Sequence, residues 1–280
     1  MVLHPASMDD LSDDILSIIA RAVPPAALFT ILLLSHQYKN IVKARVVQLA
    51  ALRGPPFHLS PSLILDFHGS SVSVNLCNIG DVGMQVFSTA LAGGGMSNLV
   101  NLQLNHNQIS DVGMKAFSAA LAGGALSSCH TLHFGGNNIG DAGIEAFSKA
   151  CAGGALVSVT TLRLNSIQIS DVGMQAFSSA LAAGAMAQLK ALYLNDILSD
   201  EKIGDVGMRA FSSAIASGAL PLLEELWLQN NQIGNSGIAA LVNACVNGAL
   251  PHLKTHLMLF GNPASEAVQR AAKDTITNRK

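Results

Sequence analysis

The stretch Leu99-Val100-Asn101-Leu102-Gln103-Leu104-Asn105-His106-Asn107-Gln108-Ile109-Ser110-Asp111-Val112-Gly113 opens on leucines spaced three and two apart and closes on an Asp-x-Gly tripeptide. That tripeptide returns along the chain as Asp81-Val82-Gly83, Asp111-Val112-Gly113, Asp141-Ala142-Gly143, Asp171-Val172-Gly173, Asp205-Val206-Gly207 and Asn235-Ser236-Gly237. The spacings are 30, 30, 30, 34 and 30 residues. A fixed period of this length marks a stacked architecture, in which one unit buries its apolar face only against the next.

Each tripeptide is followed by apolar residues at offsets 3, 6 and 10 from its first residue, as in Met114, Phe117 and Leu121 or Met174, Phe177 and Leu181. These offsets fall on one face of a helix of about three turns. The Asp is placed to cap the helix it opens, by accepting from free backbone N–H groups. A glycine stands thirteen residues on in all six copies (Gly94, Gly124, Gly154, Gly184, Gly218, Gly248), where a left-handed residue ends a helix.

The rest of each unit has the form Leu-x-x-Leu-x-Leu-x-x-Asn-x-Ile, as in Leu99, Leu102, Leu104, Asn107 and Ile109, or Leu223, Leu226, Leu228, Asn231 and Ile233. This pattern resembles the leucine-rich repeat, and its long helical segment is similar to the ribonuclease-inhibitor subtype. The resemblance covers residues 70–263 in about seven units. It implies an α/β solenoid, with a parallel sheet inside and helices outside. Strands sit about 4.8 Å apart and packed helices about 10 Å, so such a stack bends toward its strands. The Asn of the pattern has donors and an acceptor for backbone groups where the chain leaves the strand.

Departures from the pattern carry their own expectations. Cys77 takes the Asn place in the first unit, and Ile167 takes it in another, where it cannot bond the backbone. The next unit holds four extra residues within Asn195 to Gly204, and its 196–202 segment is expected to bulge out as an acidic loop. Leu253 to Leu257 carries one extra residue, which leaves the last strand's register open. Residues 264–280 read as a polar capping helix and residues 51–69 as a linker and N-terminal cap.

Side chains alternate along a strand, so the residue between the two strand leucines lines the concave face. That column reads Ser73, Gln103, His133, Arg163, Tyr193, Trp227 and Met258, and the column two residues later ends on Gln229 and Phe260. The only Trp and one of two Tyr thus stand on a surface, and Trp, Tyr, Met and Arg are enriched at the cores of interfaces. The candidate partner-binding residues are therefore Gln103, His133, Arg163, Tyr193, Trp227, Met258 and Phe260, with the hot spot at the last four. The alternative is that the C-terminal tail folds over them.

Composition narrows the function classes. Charged residues make up only 12% and hydrophobic ones 50% of 280 residues, which excludes disorder over most of the chain. A net charge of −2 gives no field for collecting nucleic acid or anionic lipid. The four cysteines form no Cys-x-x-Cys pair, which fits a reducing interior, cytoplasmic or nuclear. Cys129, Cys151 and Cys245 read as small buried hydrophobes, and the helix-face methionines as core filler. His130 and His133 are spaced for opposite faces of a strand and do not make a metal pair. There is no phosphate loop, nucleophile elbow or His-Glu-x-x-His helix, so no catalytic residue, cofactor or metal is expected.

The N-terminus carries Asp9, Asp10, Asp13 and Asp14 and no export signal. The apolar run Ala22 to Ser35 is too short to span a bilayer and reads as a buried helix. Residues 11–42 run Leu11-Ser12-Asp13-Asp14-Ile15-Leu16, Pro24-Pro25, Leu28, Leu32 to Leu34 and Tyr38. This is similar to an F-box, a helical module that docks on a Skp-family adaptor of a cullin-type ubiquitin ligase, and it sets residues 1–50 apart as a domain. The resemblance implies adaptor contacts at Leu11, Ile15, Leu16, Pro24, Leu28 and Tyr38. Ser12 and Tyr38 depart from the Pro and Trp of that family. The expected function is a non-enzymatic protein-interaction scaffold, for which the F-box resemblance implies the role of ligase substrate receptor; the alternative for residues 1–50 is a helical cap that only seals the first repeat. The alternatives are a Ran-type GTPase-activating protein, or an inhibitor or sensor built of the same repeats.

Overall fold

A strand of three residues forms wherever the leucine pattern sets two apolar side chains around one polar one, and a helix follows each Asp-x-Gly. The computed structural model describes residues 71–93, 98–199, 202–254 and 256–279. The 1–50 module with Leu11, Ile15, Leu16, Pro24, Leu28 and Tyr38, the 51–69 linker, Gly94 and Met96 lie outside the described residues. The order is β1 (Ser71–Ser73), α1 (Gly80–Ala92), β2 (Asn101–Gln103), α2 (Asp111–Ala122), β3 (Thr131–His133), α3 (Asp141–Ala152) and β4 (Thr161–Arg163). It continues with α4 (Asp171–Ala182), β5 (Ala191–Tyr193), α5 (Asp205–Ala216), β6 (Glu225–Trp227), α6 (Asn235–Val246), β7 (His256–Met258) and α7 (Glu266–Thr277).

The strands form one parallel sheet in sequence order, and each helix packs on the next. This is the curved solenoid expected from the sequence, with the helices on the outer side. The core lies between the layers. Leu102, Leu132, Leu162, Leu192, Leu226 and Leu257 are buried from the sheet, and Phe87, Phe117, Phe147, Phe177 and Phe211 from the helices. The Phe87 and Phe117 rings stack at 6.5 Å between centroids, and Phe134 meets Phe117 edge-on at 5.0 Å. Each such side chain contributes roughly 1.5–3 kcal/mol by leaving water. The glycines at offset 13 take φ of +87 to +101° at Gly124, Gly154, Gly184, Gly218 and Gly248, a region costly for a side chain.

The tripeptide Asp works differently from the expectation. It caps the following helix and not its own. Asp111 Oδ1 accepts from Gly140 N at 2.7 Å and Gly143 N at 2.9 Å. Asp81 does the same for Ser110 and Gly113, Asp141 for Ser170 and Gly173, Asp171 for Gly204 and Gly207, and Asp205 for Gly234 and Gly237. Each carboxylate thus holds two orphan N–H groups at the positive end of its neighbour's helix. The tripeptide glycine makes this approach possible, since a Cβ on Gly143 would lie 2.6 Å from Asp111 Oδ1. The helices' own caps are Ser110 and Ser170, whose hydroxyls accept from Val112 and Val172 N.

The inner turns carry a second ladder. Asn107 Oδ1 accepts from Cys77 N at 2.9 Å, and Asn137 Oδ1 accepts from Asn107 N at 2.9 Å. Ile167 breaks this ladder as expected, and so does Ile197 one unit later; both are fully buried. Asp200 and Glu201 of the expected acidic bulge lie outside the described residues. Asp196 accepts from Asn195 and Asn230 side chains, Ile197 sits in the core, Leu198 is 60% exposed, and Lys202 donates to Asn230 O. Burying Ile197 holds its flanking backbone in register. Asn231, next after the two isoleucines, keeps a buried Oδ1 with no partner among the described residues. The extra residue near 255 is absorbed before β7, which pairs with β6 in the common register, Trp227 opposite Met258.

Candidate partner-binding face

Parallel in-register strands place the same position of every repeat side by side, so the inner column is a row of neighbouring side chains. Ser73, Gln103, His133, Arg163, Tyr193, Trp227 and Met258 are successive register partners across β1 to β7. At the N-terminal end the row is tied up in its own hydrogen bonds. Gln103 Oε1 accepts from Ser73 Oγ at 3.2 Å and from Asn75 Nδ2 at 3.3 Å.

The centre of the row is a stack. The Arg163 guanidinium lies 4.5 Å from the Tyr193 ring centroid, and Tyr193 stacks on Trp227 at 5.3 Å with 24° between planes. Ring spacing follows strand spacing, about 4.8 Å, so neighbouring positions on adjacent strands stack without distortion. Glu225 ties the two rings together. One of its carboxylate oxygens accepts from Tyr193 Oη at 2.9 Å and from Trp227 Nε1 at 3.3 Å. Burial and the adjacent Glu225, as hydrogen-bond acceptor and as negative charge, raise the Tyr193 pKa, against which the Arg163 charge works. The stack is therefore held in one arrangement before any partner arrives, which lowers the ordering cost of binding.

His133, beside Arg163, is only 8% exposed, and its Nε2 has no hydrogen-bond partner among the described residues. Burial and then the Arg163 charge push its pKa down to about 4. At the other end, Met258 is half-buried and Phe260 is 57% exposed. The tail does not cover them within the described residues. Helix α7 packs on α6, and Arg279 beyond it donates to the carbonyls of Cys245, Ala249 and Leu250, closing the end of the helical layer.

The sequence reading missed Glu225. It stands in the column that opens each strand, where the other members are Ser71, Asn101, Thr131, Thr161, Ala191 and His256. Glu225 is the only acid of that column, a signal within reach had all three inward columns been read.

The repeat geometry agrees with a family comparison. A family model described as Leucine Rich repeat matches residues 70–88, 95–118, 130–148 and 219–242. The chain contains leucine-rich repeats. No curated protein matches it. Among solved structures it is similar to an internalin, inlF, from Listeria monocytogenes, at 15% identity over 74% of this chain and 85% of that one, with a TM-score of 0.19. That likeness is too slight to bear on this leucine-rich solenoid.

Other chemistry is sparse on the leucine-rich stack. Among the described residues, no group of three or more His, Cys, Asp or Glu is gathered that would hold a metal ion, and no helix is long and apolar enough to cross a membrane. Burial pushes the thiols of Cys77, Cys129 and Cys151 up to about 12, so they stay protonated and poorly nucleophilic at neutral pH.

Proposed function

We propose that the chain is a non-enzymatic interaction scaffold whose concave face takes up a protein partner, with Arg163, Tyr193 and Trp227 as the centre of the contact. The observation that carries this reading is the Arg163–Tyr193–Trp227 stack fixed by Glu225 on an open surface of a protein otherwise poor in aromatic residues. Pre-ordered aromatic and arginine side chains are what hot spots are made of. Met258 and Phe260 extend the apolar surface toward β7, and Gln103 and His133 border it toward β2.

The ribonuclease-inhibitor-like subtype is supported by helices of twelve residues in α2 to α6. The F-box-like segment gives the scaffold a destination: residues 1–50 bind a Skp-family adaptor through Leu11, Ile15, Leu16, Pro24, Leu28 and Tyr38, and the concave face holds the substrate. Ligation then proceeds by proximity, in the cytoplasm or nucleus, with no bond made or broken by this chain. Co-elution of the full chain with a purified Skp adaptor on size exclusion tests this, beside the Leu11→Asp, Ile15→Asp double variant. A complex lost in the equally folded variant is the expected result. No complex with the parent chain removes the ligase role and leaves the interaction scaffold.

A further inference from the structure

The concave face is divided by charge. The polar side chains at the inward positions of β1 to β4 and in the turns that follow them are those of Ser, Asn, Gln, Thr, His and Arg, with no carboxylate, and Arg163 is the one fixed cation there. Among the described residues the carboxylates of this face are Asp196, in the turn after β5, and Glu225 of β6, and each already accepts two hydrogen bonds. Next to Arg163 the Asn column, Asn75, Asn105 and Asn165, is interrupted by Gly135. There the two flanking carboxamides close in, with Asn165 Oδ1 2.7 Å and Asn105 Oδ1 3.1 Å from where a Cβ would stand.

We propose that Arg163 and His133, framed by the carboxamides of Asn105 and Asn165, form the seat for a carboxylate side chain of the bound protein. The proposal rests on the reading that the concave face is the docking surface, and it names the partner's chemistry. Stacking on Tyr193 uses the face of the guanidinium, whereas a carboxylate binds its N–H edge, so the two contacts are compatible. His133 adds a buried, unpartnered Nε2 at the same place. A buried polar atom without a partner is costly, and a ligand that supplies one recovers that cost. Asn105 Nδ2 is already given to Asn75 Oδ1, so of the two carboxamides it is that of Asn165 that can turn over to offer an N–H.

The sheet also sets a distance. From β4, which carries Arg163, to β7, which carries Met258, is three strand steps, or about 14 Å. An extended segment crossing the strands covers that in about four residues. The partner therefore presents an Asp or Glu about four residues from an apolar side chain that lies on Trp227, Met258 and Phe260.

The test is selection of a displayed random dodecapeptide library on the full chain, followed by affinity measurement on a selected peptide and its Glu→Gln or Asp→Asn counterpart. Parent chain, Arg163→Gln, Gly135→Ala and the Tyr193→Ala, Trp227→Ala double variant are compared after thermal melts confirm equal folding. The expected result is an acid in the selected sequences whose neutralisation weakens binding about tenfold or more to the parent and little to Arg163→Gln, the size of one charge-assisted hydrogen bond. Gly135→Ala, which must push the carboxamides apart, is expected to weaken the acidic peptide selectively. Peptides that depend on Tyr193 and Trp227 but show no acid coupled to Arg163 overturn the carboxylate seat and leave the concave face standing. Peptides indifferent to every one of these variants, or no selected peptide at all, overturn both.

Discussion

The helix-terminal edge of the solenoid and its concave face differ in how much the repeats resemble one another. Along the edge, Asp81, Asp111, Asp141, Asp171 and Asp205 repeat one interaction, each holding the N–H groups that begin the next helix. Only at the end does Asn235 replace the acid, where it has a single N–H to hold, that of Ser265. Across the concave face, no two successive positions of the central column carry the same residue. A side chain that reaches into the neighbouring unit is fixed by the neighbour's geometry, whereas a side chain that faces outward is free to differ. What is copied from repeat to repeat therefore holds the stack together, and what changes is available for recognition.

Substitutions at the two surfaces should break or sharpen this contrast. The largest loss of stability is expected from Gly143→Val, which drives a side chain into Asp111 Oδ1 and displaces the carboxylate from two helix N–H groups. About 3 kcal/mol is expected, read as a lower urea midpoint. Asp111→Ala should cost about 2 kcal/mol, since the N–H groups of Gly140 and Gly143 lose a charged acceptor without a clash, and Asp111→Asn should cost less. If Asp111→Ala were neutral in urea titration, the edge would not be what locks successive units.

On the concave face the stability effects should be smaller. His133 has its pKa lowered from 6.5 to about 4, so between those values the unfolded chain takes up the proton first and stability falls as the pH falls. His133→Gln should flatten the pH dependence of the unfolding free energy between pH 6.5 and 4 by on the order of 1 kcal/mol, read from urea titrations at each pH. The smallest stability effect, about 1 kcal/mol or less, is expected for the Tyr193→Ala, Trp227→Ala double variant, because the stack is half open to water. The same variant should abolish partner binding in a direct affinity measurement. Glu225→Gln should bring the raised Tyr193 pKa back toward its ordinary value, since it removes the charge that opposes phenolate; an absorbance titration near 295 nm reads it.

Much of the fold was legible because the repeat states the same local rules several times. The leucine spacing set the strands, the offsets of Met114, Phe117 and Leu121 set the buried helix face, and the positive-φ glycines set the helix ends. The partner of Asp111 was not legible, because its own helix and the next one offer the same orphan N–H groups and only stacking decides between them. The burial of Ile197 within the expected acidic loop was not legible for a similar reason. Ile197 stands where Asn107 and Asn137 stand in their units, and only the packing shows that it enters the core. Of the candidate site, the column order could be read from alternation alone, but Glu225 could not be joined to Tyr193 and Trp227 without the register that brings β5 beside β6.

The sequence by itself determined the period, the element types and which residues face inward from each strand, because these follow from dihedral preference and side-chain alternation within a single unit. Only the tertiary structure decided which units' groups satisfy one another: Asp with the next helix, Asn107 with the previous turn, and Arg163, Tyr193, Trp227 and Glu225 as one cluster across three strands. Those contacts span about thirty residues of chain, and a pattern confined to one repeat carries no information about its distance or angle to the next.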